Sequence, residues 1–429
     1  LKSGFVRNFL LTGSSTVAII VFSIVNNIVV TRWIGVENRG IYGVALNLMM
    51  FMNLLFGEGV RRSNTVIVSE AKESYSSVLY LNLLLFFVLI VVGIVLAYFY
   101  GFFYAVFPNI EFKIYVLMII SAIFFIMWNS VQGIYLGLGN IIVYNLIPLS
   151  AVFLIMLANV VGIYFFQINL EGIFLNILIV YLLVFLIPFL ALFGRKSFGK
   201  GKINFGKDNF FLVLKATFSS LGVFTFKRSN IFFVNNILGA YDAGLYSVAN
   251  IFSDLVQKLP NVAGILVFSD SAKKHTKEFN ARVTSLVRVT FFLNLIVILV
   301  LFLWGREIIE LVFGAKFGGA NVILEFMLLG FGISAPTTIL HAFFMGKGFP
   351  RKMVLYNTIT AILAIVLNFV FVKYLGVKGA GISYSLSFLI WGVLFYAYYA
   401  KFTDTSLYDL IVIKKSDFSF MLELLKKLR

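Results

Sequence analysis

Cysteine is absent from the 429 residues, so disulfides, thiolate metal sites and a cysteine nucleophile are excluded. There are two histidines, His275 and His341, far apart in sequence, which excludes a multi-histidine metal centre. Acid is scarce, with 18 Asp and Glu against 35 Lys and Arg. Charged residues of either sign make up 12% of the chain, about half the share of a soluble domain. No glycine loop ending in Lys-Ser or Lys-Thr occurs, so the chain encodes no ATP-driven engine. No cofactor is expected.

What fills the chain instead is hydrocarbon. Apolar residues make up 61% and the mean hydropathy is +1.00, which defines a polytopic membrane protein. A net charge of +17 would suggest nucleic acid as a partner of a soluble protein. In a membrane protein, basic cytoplasmic loops facing anionic lipid account for most of it, and no nucleic-acid partner is expected.

A helix needs about 20 apolar residues to cross ~30 Å of hydrocarbon. On that ruler the chain divides into twelve predicted spans: 9–31, 40–60, 78–102, 113–136, 141–166 and 171–193, then 210–236, 244–268, 284–304, 321–344, 353–373 and 380–402. Lys2 and Arg7 resemble the start of a signal peptide, but the apolar stretch after them is too long and lacks a small-residue cleavage site. It is read as a spanning helix. Counting Lys and Arg in the loops gives 23 on one side, Arg61, Arg62 and the tail included, and seven on the other, Arg32 and Arg39 among them. The imbalance predicts cytoplasmic termini and a cell-membrane location.

The predicted turn Thr31-Arg32-Trp33-Ile34-Gly35-Val36-Glu37-Asn38-Arg39-Gly40-Ile41-Tyr42-Gly43 recurs as Asn235-Asn236-Ile237-Leu238-Gly239-Ala240-Tyr241-Asp242-Ala243-Gly244-Leu245-Tyr246, 204 residues on. Gly137-Leu138-Gly139 answers Gly346-Lys347-Gly348 at 209, and Gly172 answers Gly379 at 207. Order and offset agree, which points to two copies of one unit. The expected domains are a first six-helix bundle (1–193), a basic cytoplasmic linker (194–209), a second bundle (210–402) and a cytoplasmic tail (403–429). In the tail, Phe418, Met421, Leu422, Leu425 and Leu428 fall at helical spacing and suit an amphipathic helix on the leaflet.

Charge inside a span is costly and so faces a partner or water. Lys227 and Arg228 stand more than two turns from the end of the seventh span, and at least one of them is expected to point into a central cavity; Lys215 lies closer to the cytoplasmic end, able to snorkel. Lys215, Ser219, Gly222 and Ser229 share one face of that helix. Glu58 is three and four residues from Arg61 and Arg62. An intrahelical ion pair is one reading; the other is that one carboxylate leaves surplus guanidinium charge for an anion. Asp254 and Lys258 are spaced for a structural pair. Glu58, Asp254, Glu325 and His341 are the groups that could couple transport to a proton or ion. Pro148, Pro188 and Pro336 fall inside spans and are candidate hinges. The outer-side acids Glu37, Glu111, Glu171, Asp242, Glu307 and Glu310 are scattered, and no catalytic constellation can be built from them. The chain is not expected to be an enzyme.

Two six-span copies, the turn Arg32-Trp33-Ile34-Gly35 to Gly40-Ile41-Tyr42-Gly43, the run Gly57-Glu58-Gly59-Val60-Arg61-Arg62 into Ser69-Glu70-Ala71, and Gly137-Leu138-Gly139 together resemble the multidrug/oligosaccharidyl-lipid/polysaccharide exporter superfamily. Within it, the chain looks most like the Wzx-type polysaccharide-unit flippases. The resemblance implies a V-shaped, MATE-like pair of bundles around a cationic cavity. It also implies an undecaprenyl-pyrophosphate-linked oligosaccharide as cargo, flipped outward by alternating access. Arg61, Arg62, Lys227, Arg228 and Lys215 would line that cavity. Partners would be membrane lipid and polysaccharide-assembly membrane proteins, with the chain working as a monomer. The second copy departs from the first where Asn236 replaces Arg32 and Ala243 replaces Arg39. Rival readings are a cation- or proton-coupled drug antiporter of the same superfamily, which would want more buried carboxylates, a membrane-embedded glycan transferase or polymerase, and a peptidoglycan-precursor flippase, which usually resembles a fourteen-span version and is disfavoured by twelve spans.

Overall fold

In lipid, an apolar run can satisfy its backbone only through its own hydrogen bonds or those of a closed barrel. The computed structural model describes residues 2–70, 75–194, 207–271, 276–414 and 417, and among these helix prevails and no strand occurs. Most of the expected linker, His275 and the amphipathic face from Phe418 lie outside the described residues.

The chain separates into two units, Leu1–Thr217 and Phe218–Arg429, dividing within the predicted seventh span. The first contains α1 (Lys2–Phe56), α2 (Glu58–Glu70), α3 (Tyr75–Tyr98), α4 (Tyr100–Val106), α5 (Phe112–Gly137), α6 (Ile141–Phe166) and α7 (Leu170–Phe193). The second begins within α8 (Lys207–Arg228) and continues through α9 (Asn230–Leu238), α10 (Ala240–Val256), α11 (Lys258–Ser271) and α12 (Lys277–Phe313). After a short 3-10 turn come α13 (Ala320–Ser334), α14 (Thr337–Gly346), α15 (Arg351–Thr403) and α16 (Leu407–Ile411).

Helix covers all twelve predicted stretches, and among the described residues seven helical segments are by themselves long and apolar enough to cross a membrane. Two predicted loops differ. Residues 32–39 and 374–379 are helical except at Gly35 (φ 78°, ψ −178°) and Gly376 (φ 60°, ψ −139°). One residue with positive φ suffices to break the helix there, and glycine takes that conformation without a steric penalty. Gly239 (φ 100°, ψ 176°) repeats the geometry of Gly35 between α9 and α10. Positive φ recurs at Gly139 and Gly348 and at Gln167 and Gly376, each pair 209 residues apart. The backbone thus carries the duplication that the short motifs pointed to.

Buried amides repeat as well. In the first unit, Asn159 donates to Asn26 Oδ1 at 2.9 Å, and Asn176 donates to Asn159 Oδ1 at 3.1 Å. In the second, Asn230 donates to Asn368 Oδ1 at 2.5 Å and to Ser383 Oγ at 2.9 Å. Asn230, Asn368 and Ser383 lie 204, 209 and 207 residues beyond Asn26, Asn159 and Asn176. Asn145 to Thr12, Asn159 to Asn26 and Trp33 to the Ile168 carbonyl step along both helices in one direction. The first half of α1 therefore runs parallel to α6. Asn357 to Ser219 and Asn368 to Asn230 set α15 parallel to α8 and α9 in the same way.

Pro148 and Pro188 sit inside the unbroken helices α6 and α7. Pro336 alone of the three coincides with an interruption, capping α14 where α13 has ended.

Candidate functional site

The basic residues of the first unit are positioned by small residues on α5. A side chain at Gly133 would strike the Arg61 carbonyl, and one at Gly137 would approach the Thr65 carbonyl at 2.8 Å. Thr65 Oγ1 donates to the Gly133 carbonyl at 3.1 Å, and Asn64 Nδ2 donates to the Ser130 carbonyl at 3.0 Å. Arg61 lies on that α5-facing stripe, one turn before Asn64 and Thr65, and Glu58 and Arg62 flank it. Arg61 grips Glu58 with two bonds, Nη2 to Oε1 at 2.7 Å and Nε to Oε2 at 3.0 Å. Arg62 Nε reaches the same Oε1 at 2.9 Å. The intrahelical pairs expected from the spacing form, and the two guanidiniums share this one carboxylate. The side chains of Arg61 and Arg62 keep 22% and 25% of their surface exposed.

In the second unit the expected face of α8 is a packing seam. Ser219 accepts from Asn357 at 2.8 Å, a side chain at Gly222 would meet the Asn357 backbone, and Ser229 accepts from Asn368 at 3.0 Å. Lys215 is exposed and takes no part in that seam. Lys227 and Arg228, in the last turn of α8, turn toward α10 and α15. Arg228 Nη2 donates to both Asp254 oxygens, at 3.0 and 2.9 Å. Asp254 is thus engaged by Arg228 rather than by Lys258 as the spacing suggested, and Lys258 is exposed. Pairing across two helices fixes a geometry that an exposed lysine one turn on cannot. Lys227 Nζ finds an amide: it donates to Gln257 Oε1 at 2.7 Å. Its ammonium lies over the rings of Phe388 and Trp391, 5.6 and 5.5 Å from their centroids.

Lys227 lines a cavity of about 350 Å³ bounded by α8, α11, α14 and α15. His341, on the same wall, is held by Asn357 at 3.1 Å and stands between Trp391 and Phe395. The Trp391 indole can only donate and does so to Asn357 Oδ1 at 2.9 Å, which turns the Asn357 NH₂ toward Ser219 and His341. His341 Nε2 is therefore an acceptor and carries no proton. Glu325 accepts from Asn321 at 2.6 Å, one turn away on α13. The described residues contain no group of three His, Cys, Asp or Glu able to hold a metal.

Two charges have places the sequence did not suggest. Arg39, counted as an outer-loop residue, is 4% exposed inside α1. Its Nε and Nη1 meet no hydrogen-bond partner, and its guanidinium lies 5.2 Å from the centre of the Tyr42 ring. Arg288, near the start of α12, forms a buried pair with Asp417: Nε to Oδ2 at 2.7 Å and Nη2 to Oδ1 at 2.6 Å. Ser285 Oγ and the Lys414 amide complete the carboxylate shell, and Arg288 Nη1 takes the Asp409 carbonyl at 2.6 Å. Burial opposes ionisation of Asp417, but these donors outweigh it and hold its pKa below the usual carboxylate value.

No sequence-family profile matches this chain, and no curated protein matches it in sequence. Solved structures match it in fold. Lipid II flippase MurJ in an inward closed conformation aligns with 97% of this chain and 96% of its own, at 20% identity and TM-score 0.70. An inward-facing multidrug resistance MATE family transporter of the MOP superfamily covers 89% of this chain and 94% of its own, at 15% identity and TM-score 0.68. A MOP-superfamily transporter from Pyrococcus furiosus Vc1 (DSM3638), described for the reverse polarity of its binding pocket, covers 92% and 96% at 12% identity and TM-score 0.60. The all-helical fold of this chain is the one these transporters share.

Proposed function

We propose that the chain is a flippase that moves an undecaprenyl-pyrophosphate-linked oligosaccharide from the cytoplasmic to the outer leaflet by alternating access. The observation that carries this reading is Lys227, a lysine deep in a membrane bundle whose ammonium is met by a neutral amide and two ring faces beside a cavity. Around it Lys227 and Arg228 outnumber Asp254, and in the first unit Arg61 and Arg62 outnumber Glu58. The Lys227 cluster therefore carries one excess positive charge, and in the first unit two guanidiniums share one carboxylate. Such clusters suit a pyrophosphate, because guanidinium and ammonium groups supply charge-assisted hydrogen bonds to its oxygens. The fold shared with MurJ and the MATE transporters supports movement of a ligand rather than chemistry on it. A cationic drug as cargo is disfavoured by the same excess charge.

The basic groups lower the barrier to carrying an anion through hydrocarbon. An inside-negative potential then favours its outward passage by about 2.3 kcal/mol per charge per 100 mV. The test is reconstitution into liposomes with a fluorescent undecaprenyl-pyrophosphate-linked sugar. The native chain should relocate the lipid, and Lys227→Ala with Arg228→Ala should reduce the rate at least tenfold while the protein stays folded. Relocation at an unchanged rate removes both residues from the pathway, and a new glycosidic bond in the product would make the chain an enzyme instead.

A further inference from the structure

The walls of the Lys227 cavity have the wrong chemistry for a sugar. Val223, Ile265, Phe268, Ala342, Met345 and Trp391 supply hydrocarbon and aromatic surface. An oligosaccharide presents a ring of hydroxyls, each needing a donor or acceptor once it leaves water. Few such groups are on offer. His341 Nε2 and Trp391 Nε1 are both engaged by Asn357. Asn261 is exposed, and Thr338 Oγ1 is buried without a partner. Lys227 spends one N–H on Gln257 and has three. What remains is a cation with donors to spare, the single Asn261 amide at the exposed side, one unpartnered hydroxyl and otherwise apolar walls. Ile265 and Phe268 are 62% and 44% exposed, so apolar side chains flank the cavity where α11 meets its surroundings.

We propose that this cavity binds the junction between phosphate and polyprenyl chain in the lipid-linked cargo, and leaves the sugar outside. The proposal rests on the flippase reading and narrows it. Lys227 and Thr338 take oxygens of the phosphate next to the chain, while the first prenyl units lie along Val223, Ile265, Phe268 and Met345. A site built this way reads the anchor, which is the same whatever glycan is attached. Glycan identity is then not selected at Lys227. A membrane glycerophospholipid also joins a phosphate to hydrocarbon, but its ester-bearing glycerol backbone brings acceptors that these walls cannot satisfy.

The test uses the purified full-length chain in a neutral detergent, titrated calorimetrically with farnesyl phosphate, glucose 1-phosphate and dioctanoyl phosphatidylglycerol. Farnesyl phosphate should bind at least tenfold more tightly than either of the others. Lys227→Gln should weaken it at least tenfold, and Met345→Trp, which fills the cavity and leaves Lys227 in place, should do the same. If Lys227→Gln does not fold, the Met345→Trp result decides. Equal binding of glucose 1-phosphate or phosphatidylglycerol, or farnesyl phosphate binding untouched by Met345→Trp, overturns the assignment. Flipping of lipid-linked sugar is measured separately in liposomes. Farnesyl phosphate binding without flipping defeats the flippase reading and spares the cavity assignment, whereas flipping that persists in a chain unable to bind farnesyl phosphate defeats the cavity assignment alone.

Discussion

Arg39 shows how far a single residue can depart from its apparent address. In sequence it sits among Arg32, Glu37 and Asn38, a polar patch between two apolar runs, and such patches read as loops. Helix nevertheless runs through the patch, broken only at Gly35, and carries Arg39 into the bundle. A guanidinium there with two unpartnered nitrogens destabilises the fold, and the Tyr42 ring offsets the penalty in part. Arg39→Met, close in volume and uncharged, should therefore raise stability by about 1–3 kcal/mol, visible as a higher thermal unfolding midpoint. A lower midpoint would mean that Arg39 has a counter-ion. Lys227 and Arg228 were legible because an apolar run surrounds them on both sides, which leaves no loop to assign them to. Their partners were not legible: Gln257 and Asp254 lie about 30 residues away, and only packing of α8 on α10 brings them near.

Among the elements, the glycine breaks and the tail latch depend most on individual side chains. Gly35 and Gly239 combine positive φ with ψ near 180°, a region open essentially to glycine alone. Gly35→Ala and Gly239→Ala should each cost about 1–3 kcal/mol, measured by denaturant or thermal unfolding, and the two costs should match because the backbone geometry does. The latch joins α12 to the segment after α16. Asp417 is 1% exposed, and removing one member of a buried ion pair costs about 3–5 kcal/mol. Asp417→Ala should release the tail to protease at neutral pH. Acid should do so as well: with its pKa depressed in the folded chain, Asp417 contributes stability above about pH 4 and loses it as pH falls further. Limited proteolysis from pH 7 to pH 3 reads both effects. The latch was invisible in sequence because Arg288 and Asp417 are 129 residues apart, and only packing of the tail against α12 brings them together.

At the scale of the whole molecule, most of the architecture was legible. Apolar runs of the right length located helix at every predicted span, since a bilayer accepts few other structures. The repeat was legible in three short glycine motifs because positive φ at Gly35/Gly239 and Gly139/Gly348, and close neighbours at Gly172/Gly379, have to be encoded locally. Predicted loops were the weakest part, for connections of a single residue leave almost no compositional trace. On the proposed flippase reading, movement of an anionic headgroup depends on the sum of charges rather than on one side chain. Neutralising Arg61 and Arg62 together should slow movement of an anionic lipid in liposomes at least tenfold. Imposing an inside-negative potential of 100 mV should favour outward transfer by about 2.3 kcal/mol for each negative charge moved, and a rate indifferent to that potential would mean that the headgroup crosses neutralised.

The amide clusters, Asn26 with Asn159 and Asn176 and Asn230 with Asn368 and Ser383, bear on how the protein tolerates its surroundings. Carboxamides and hydroxyls neither gain nor lose protons in water at ordinary acidity, and dissolved electrolyte does not shield a dipole pair enclosed in oil. Helix association within each half should therefore stay firm in brine and in mild acid alike.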